Sequence, residues 1–163
     1  MSQKITPNLW FDTEAEEAAN FYVSVFPDAR ILTKSHYTEG APRPAGEVMT
    51  VEWELFGQRF VGINGGPEFK FDEAVSFMIE CEDQAEIDHY WETLTADGGS
   101  EGPCGWCKDR FGLSWQVVPK GMDEVFGSGD EDAAARAMQA MLKMSKIDAE
   151  ELRRAAEGVP AAS

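Results

Sequence analysis

The stretch VMTVEWELFGQRFVGIN, residues 48–64, contains the clearest strand pattern in the chain. Apolar residues occupy alternate positions from Met49 to Leu55, which is the period of a strand with one buried face. Gly57-Gln58 then supplies a turn, and residues 59–64 return as the partner strand. The stretch therefore predicts a β-hairpin.

The residues before the hairpin predict a strand, a helix and a second strand. Residues 5–11 are rich in aromatic and aliphatic side chains, as expected for a first or edge strand, and Thr13-Glu-Ala-Glu16 resembles a capping box. Apolar residues at helical spacing follow up to Phe26, and residues 29–37 form the next predicted strand. The first half therefore reads β-α-β-β-β.

The residues after the hairpin repeat this order. A strand over 74–81 precedes a helix that Asp83 and Glu86 open, and the helix has apolar residues at i, i+3, i+4 and i+7. A short strand near Ser100 and a hairpin over 105–118 complete a second β-α-β-β-β set. The two halves share this pattern rather than their residues.

The chain therefore divides into three predicted parts. Residues 3–66 are the first βαβββ module and residues 67–119 the second. Residues 120–158, here called the C-terminal extension, are a helical addition in which Asp130 and Asp148 are predicted to cap two helices.

The composition excludes several classes of partner. Among 163 residues, 30 acids against 14 bases give a formal charge of −16, which disfavours nucleic acid and anionic membrane surfaces. Apolar runs are no longer than a strand, and the start of the chain lacks the apolar stretch of a signal peptide. Three cysteines do not suggest a disulfide framework, so we expect a cytoplasmic protein.

Two segments carry a resemblance to a known superfamily. WFDTEAEEAANFY (10–22) and DRFGLSWQVVP (109–119), together with the paired modules, are similar to the vicinal oxygen chelate superfamily of glyoxalases, bleomycin-resistance proteins and ring-cleaving dioxygenases. FKFDE (69–73), CEDQ (81–84) and GWCKD (105–109) resemble its PhnB-like branch, often labelled 3-demethylubiquinone-9 3-methyltransferase. The resemblance is expected to extend over residues 3 to 157.

This resemblance implies an α+β fold in which two βαβββ modules form a U-shaped, eight-stranded mixed sheet around a cavity, usually in a homodimer. Metal-dependent members place four ligands on the first, fourth, fifth and eighth strands, which correspond here to Thr6 or Asn8, then Asn64, Ser76 and Gln116. None of these is a histidine or carboxylate, and neutral amides and hydroxyls are poor ligands for divalent ions. We therefore expect no metal and no other cofactor.

The same strand positions predict a ligand pocket of amide, hydroxyl, aromatic and thioether groups, suited to a mostly apolar molecule. Its expected residues are Asn8, Trp10, Phe60, Asn64, Ser76, Met78 and Gln116. The alternative is that these side chains fill a closed core.

Two other motifs have ordinary explanations. Cys104-Gly-Trp-Cys107 enters a strand rather than a helix, so it lacks the helix N-terminus that stabilises a redox-active thiolate. Gly62-Ile-Asn-Gly-Gly66 leads into a linker rather than a helix, so it predicts a turn and not a nucleotide loop. For the same reason, the sequence does not support the methyltransferase label.

The leading hypothesis is a metal-free small-molecule-binding protein or enzyme of the glyoxalase/bleomycin-resistance type. One rival is a metal-dependent lyase, isomerase or dioxygenase of the same superfamily. Another is a protein-interaction module that uses the acidic surface and the C-terminal extension. The sequence identifies neither the ligand nor a catalytic residue.

Overall fold

The structure is a computed structural model that describes residues 3–160. The chain forms two compact units, one up to Phe71 and one from Asp72 onward. Each unit has its own four-stranded mixed sheet and its own helix against that sheet. The α+β class and the two βαβββ modules predicted from the sequence are confirmed.

The first unit has the strand order β1-β4-β3-β2, with β1 parallel to β4 and the other pairs antiparallel. Its elements are β1 (Asn8–Phe11), α1 (Ala15–Val25), β2 (Ala29–His36), β3 (Val48–Leu55) and β4 (Gln58–Asn64). β1 is shorter than predicted because it begins after Pro7, which has no backbone N–H to donate to a sheet.

An aromatic stack joins α1 to its sheet. Trp53 lies between Tyr22 of α1 and Phe60 of β4, with ring centroids 5.8 Å apart on each side. A Cβ added to Gly62 would lie 3.1 Å from the Cβ of Ala15, so glycine allows the helix to approach β4 closely. The face of β3 and β4 that carries Trp53 is therefore the face that α1 covers.

The second unit repeats this arrangement with the strand order β5-β8-β7-β6. Its elements are β5 (Ser76–Cys81), α2 (Gln84–Thr95), β6 (Ser100–Glu101), β7 (Trp106–Lys108) and β8 (Ser114–Pro119). Asp83 caps α2 by accepting a hydrogen bond from the Glu86 amide, as predicted. The buried side chains of Cys81, Cys107 and Trp115 belong to the face of the sheet against which α2 packs.

The C-terminal extension is helical and packs within the second unit. It contains α3 (Met122–Gly127), α4 (Glu131–Met141) and α5 (Ala149–Glu157). Asp130 and Asp148 cap α4 and α5, as predicted, and Ala137, Ile147 and Leu152 form the buried centre. Gln84 of α2 connects this cluster to the module, because its amide donates to the Ile147 carbonyl and accepts from the Ala149 amide.

Two local predictions are corrected, and one short helix was missed. The hairpin turn lies at Phe56-Gly57 rather than Gly57-Gln58, since Leu55 pairs with Gln58 and both turn residues have positive φ. The capping box at Thr13 does not form; Glu14 is the N-cap residue of α1 and its side chain makes no capping bond. Helix α3 was not predicted.

Within residues 3–160, no helix combines the length and apolar character that crossing a bilayer requires.

Candidate functional site

The face of the second sheet opposite α2 contains three of the predicted pocket residues. Ser76 and Met78 alternate with Phe77 on β5, and Met78 pairs with Gln116 of β8. The Gln116 Nε2 donates a 2.9 Å hydrogen bond to the Ser76 Oγ. Met78 is 56% exposed beside this pair. The structure thus brings Ser76, Met78 and Gln116 together on one face, as the strand alternation predicts.

The same face carries two side chains that the sequence analysis did not single out. Trp106 pairs with Gln116, and Lys108 pairs with Ser114. Both residues are half-buried, and the buried Cys107 lies between them in sequence. Applying the strand period to the predicted hairpin would have found them, because they alternate with Cys107.

In the first unit, Trp10 lies on the face of the sheet opposite α1. It alternates with the buried Leu9 and Phe11, and its indole N–H donates a 2.9 Å hydrogen bond to the Gly66 carbonyl. The ring also meets Phe69 edge-on, with centroids 5.0 Å apart. Asn8 is exposed, and its amide bonds locally to the Thr6 carbonyl.

The predicted orientation of Phe60 and Asn64 is wrong. Phe60 pairs with Trp53 and stacks on it, so it lies on the face that α1 covers. Asn64 has the same parity as Phe60, and its Oδ1 accepts a 2.8 Å hydrogen bond from the Ala15 amide at the start of α1. The two residues therefore do not share a face with Trp10.

Asn64 is instead a capping and bridging residue. It is 5% exposed, its amide nitrogen donates to the Val48 carbonyl at 3.1 Å, and its backbone carbonyl accepts from the Tyr37 hydroxyl at 2.6 Å. The Oδ1 satisfies a helix N-terminal N–H that Glu14 leaves unbonded. Both ends of the Asn64 amide are consequently occupied by backbone partners.

The arrangement does not fit the divalent metal site that the resemblance implies for other members. The Asn64 amide is already bonded within its own unit, and the Ser76 and Gln116 side chains bond to each other. These neutral donors do not offset the dehydration of a divalent ion. Among residues 3–160, no three His, Cys, Asp or Glu side chains form a group that could hold a metal ion.

The cysteines are free thiols. Burial, with Glu86 and Asp83 nearby, raises the pKa of Cys81 to about 12. Burial also raises the pKa of Cys107 to about 12, with Asp109 and Glu101 adding to the effect. A thiol with so high a pKa is protonated at neutral pH and is a weak nucleophile. This agrees with the interpretation of Cys107, the second cysteine of Cys104-Gly-Trp-Cys107, as an ordinary thiol.

A family model described as 3-demethylubiquinone-9 3-methyltransferase matches residues 3–118. The match ends before the C-terminal extension, so the expected extent of the resemblance to residue 157 is corrected. No curated protein matches the chain.

Solved structures of similar proteins agree with the family match. The PhnB protein from Bacillus cereus is 35% identical with a TM-score of 0.64, over 72% of this chain and 99% of that chain. Protein PA1353 from Pseudomonas aeruginosa is 20% identical with a TM-score of 0.59, over 72% and 98%. The fosfomycin resistance protein FosX from Listeria monocytogenes is 12% identical with a TM-score of 0.51, over 76% and 98%.

The last two likenesses show the fold alone, whereas the family match and the Bacillus cereus relative show the family. The paired βαβββ modules agree with the PhnB-like branch of the vicinal oxygen chelate superfamily, which the sequence resembles. The chain belongs to the PhnB-like family described as 3-demethylubiquinone-9 3-methyltransferase.

Proposed function

We propose that the protein binds a small, mainly apolar molecule without a metal, as a binding protein or enzyme of the glyoxalase/bleomycin-resistance type. One observation carries the proposal: the hydrogen-bonded Ser76 and Gln116 side chains lie beside the exposed Met78 on a sheet face that α2 does not cover. An amide and a hydroxyl can orient one polar end of a ligand, while thioether and aromatic groups bury the rest. A cytoplasmic location is part of the proposal.

The reaction in the family description is not proposed. Methyl transfer from S-adenosylmethionine is expected on a doubly wound parallel sheet, where a glycine-rich turn joins a strand to a helix. Each described sheet here has four strands and one parallel pair, and Gly65-Gly66 leads into a loop. These residues do not fit that cofactor, so no step is derived from it.

Native mass spectrometry of the purified protein tests the proposal. We expect a retained small molecule in the wild type and its loss in Gln116→Ala, because that substitution removes both the donor and the acceptor of the amide. Gln58→Ala is the matched control, since the Gln58 amide bonds locally to the neighbouring Arg59 carbonyl at the hairpin turn. A library of small acids, esters and aromatic compounds screened by melting temperature extends the test.

The proposal is contradicted if the protein retains no small molecule and no library member raises its melting temperature. Loss of the molecule in Gln58→Ala as strongly as in Gln116→Ala would assign the effect to folding rather than to the pocket. Stoichiometric zinc, nickel, iron or manganese lost in Gln116→Ala would instead support the metal-dependent alternative.

A further inference from the structure

A row of polar side chains crosses all four strands of the second sheet. Ser76 of β5 pairs with Ser114 of β8, Ser114 pairs with Lys108 of β7, and Lys108 pairs with Ser100 of β6. Directly paired residues on neighbouring strands point to the same face. Three hydroxyls and one ammonium group therefore lie side by side on the face opposite α2.

A cleft of about 520 Å³ opens at the β6–β7 end of this row. Its walls include Glu73, Ser100, Pro103, Trp106, Lys108 and Ser114. Most of the exposed lining is apolar, and the volume is within the range of small-molecule sites, about 300–1,000 Å³. The cleft thus combines an apolar wall with one cationic side chain.

The Lys108 ammonium is held by a carboxylate that a ligand could replace. The Lys108 Nζ lies 2.5 Å from the Glu73 Oε1, and the Glu73 side chain is 65% exposed in the segment before β5. An exposed ion pair of this kind contributes little to stability, because water screens its charges. Exchanging Glu73 for the acidic group of a bound molecule therefore costs little and preserves the charge balance at Lys108.

We propose that this cleft binds a small apolar molecule with one acidic group, and that Lys108 receives that group in place of the Glu73 carboxylate. The inference rests on the proposed small-molecule function and names its ligand class. Trp106 supplies the flat apolar wall two residues from Lys108 on the same strand. Ser100 pairs directly with Lys108, and its exposed hydroxyl is on the same face of the sheet and is available to donate to the same acidic group.

The C-terminal extension fixes one wall of the cleft. The Cys104 amide donates to the Met144 carbonyl and the Gly105 amide donates to the Ser145 carbonyl, both at 2.8 Å. Cys104 lines the cleft, and Gly105 leads into β7 with φ of +80°. Because the family match ends at residue 118, this wall is held by a part of the chain that the match does not include.

A pair of fluorescent dyes tests the inference on the full-length protein. 8-Anilinonaphthalene-1-sulfonate has an apolar aromatic body and one anionic group, and N-phenyl-1-naphthylamine has the same body without the charge. We expect Lys108→Met to weaken binding of the anionic dye about tenfold, as loss of one charge-assisted hydrogen bond of about 1.5 kcal/mol predicts. Affinity for the uncharged dye should stay within about twofold.

Glu73→Gln should have the opposite effect. It removes the competing carboxylate, so the anionic dye should bind about three- to fivefold more tightly while the uncharged dye is unaffected. The matched controls are Lys120→Met and Glu82→Gln, which make the same charge changes at an exposed ion pair outside the cleft lining. Neither control should change the affinity for the anionic dye more than about twofold.

The inference is overturned if Lys108→Met leaves the affinity for the anionic dye unchanged, or if Glu73→Gln weakens it. Near-ultraviolet circular dichroism must show native packing in each variant, because the anionic dye also binds partly folded states. If Lys108→Met does not fold, Glu73→Gln decides, since its exposed side chain is not part of the core. Absence of dye binding overturns this inference, whereas a retained molecule lost in Gln116→Ala would still support the proposed function.

Discussion

Asn64 connects the end of β4 to the first turn of α1 through both ends of its amide. Asn64→Ala should lower the free energy of unfolding by about 2 kcal/mol, because it leaves the buried Ala15 N–H and Val48 carbonyl without this partner. Urea unfolding measures the change. Asn8→Ala is the control and should change stability by less than about 0.5 kcal/mol, since Asn8 is exposed. Equal effects at the two positions would contradict the capping role.

The face of the sheet on which a side chain lies was predictable only where buried and exposed residues alternate within a single strand. Gln116 lies between the buried Trp115 and Val117, so the pattern of β8 alone places it on the opposite face. Asn64 is different, because its face depends on pairing across the hairpin and its main partner lies 49 residues earlier in the chain. Its local sequence, Ile-Asn-Gly, gives no sign of a bond to a helix N-terminus.

Gln84 has a corresponding role between α2 and the C-terminal extension. Gln84→Ala removes the hydrogen bonds to the Ile147 carbonyl and the Ala149 amide. We expect faster hydrogen exchange at the Cys104 and Gly105 amides, because their acceptors are in the segment that Gln84 anchors. Hydrogen exchange followed by mass spectrometry measures this effect.

Gln139→Ala is the control for that experiment, because Gln139 is an exposed residue of the same extension. Its substitution should leave exchange at Cys104 and Gly105 unchanged. If exchange at these amides does not increase in Gln84→Ala, the extension is held to the module mainly by its apolar contacts around Ile147.

The helices whose caps lie next to them in sequence were predicted well. Asp83, Asp130 and Asp148 each accept from the amide three residues later, which is a local bond that sequence spacing reveals. Helix α1 takes its cap from a distant strand, so the Thr13 prediction was wrong. Helix α3 has six residues and no side-chain cap, and so gives little sequence signal.

At the scale of the whole molecule, the order of strands and helices was predictable because both halves of the sequence show the same pattern. In each half, the spacing of apolar residues predicts strands and a helix in the order β-α-β-β-β, and each unit of the structure has that order. The ligand could not be predicted in the same way. The recognition that we propose depends on side chains from β5, β7 and β8, which come together only through strand pairing.

We propose that the protein is a homodimer, the usual state in the superfamily. Each four-stranded sheet is open, with β1 and β2 at the edges of the first and β5 and β6 at the edges of the second, and edge strands favour pairing with another chain. Multi-angle light scattering should therefore give about twice the 18.0 kDa of one chain. A mass equal to one chain at about 50 μM would contradict the proposal, because a stable interface keeps subunits together at that concentration.

The buried thiols should make global stability decrease at alkaline pH. The pKa values of Cys81 and Cys107 are raised to about 12 in the folded protein, whereas an unfolded thiol ionises near its ordinary value of about 8.5. The unfolded state therefore loses protons first as pH rises. The stabilisation from protonated thiols is complete below the unfolded pKa and is lost progressively as pH rises through this window.

Urea unfolding at pH 7 and pH 10 measures this dependence. We expect a loss of about 1–2 kcal/mol per buried thiol at pH 10, so Cys107→Ala should show a smaller loss than the wild type. Cys104→Ser should keep the wild-type loss, because the Cys104 side chain is only half-buried. If Cys107→Ala and the wild type lose equal stability between the two pH values, the Cys107 thiol is not held protonated by burial. The alkaline destabilisation must then come from other groups. Tyr90 is one such group, because burial also raises its pKa to about 12.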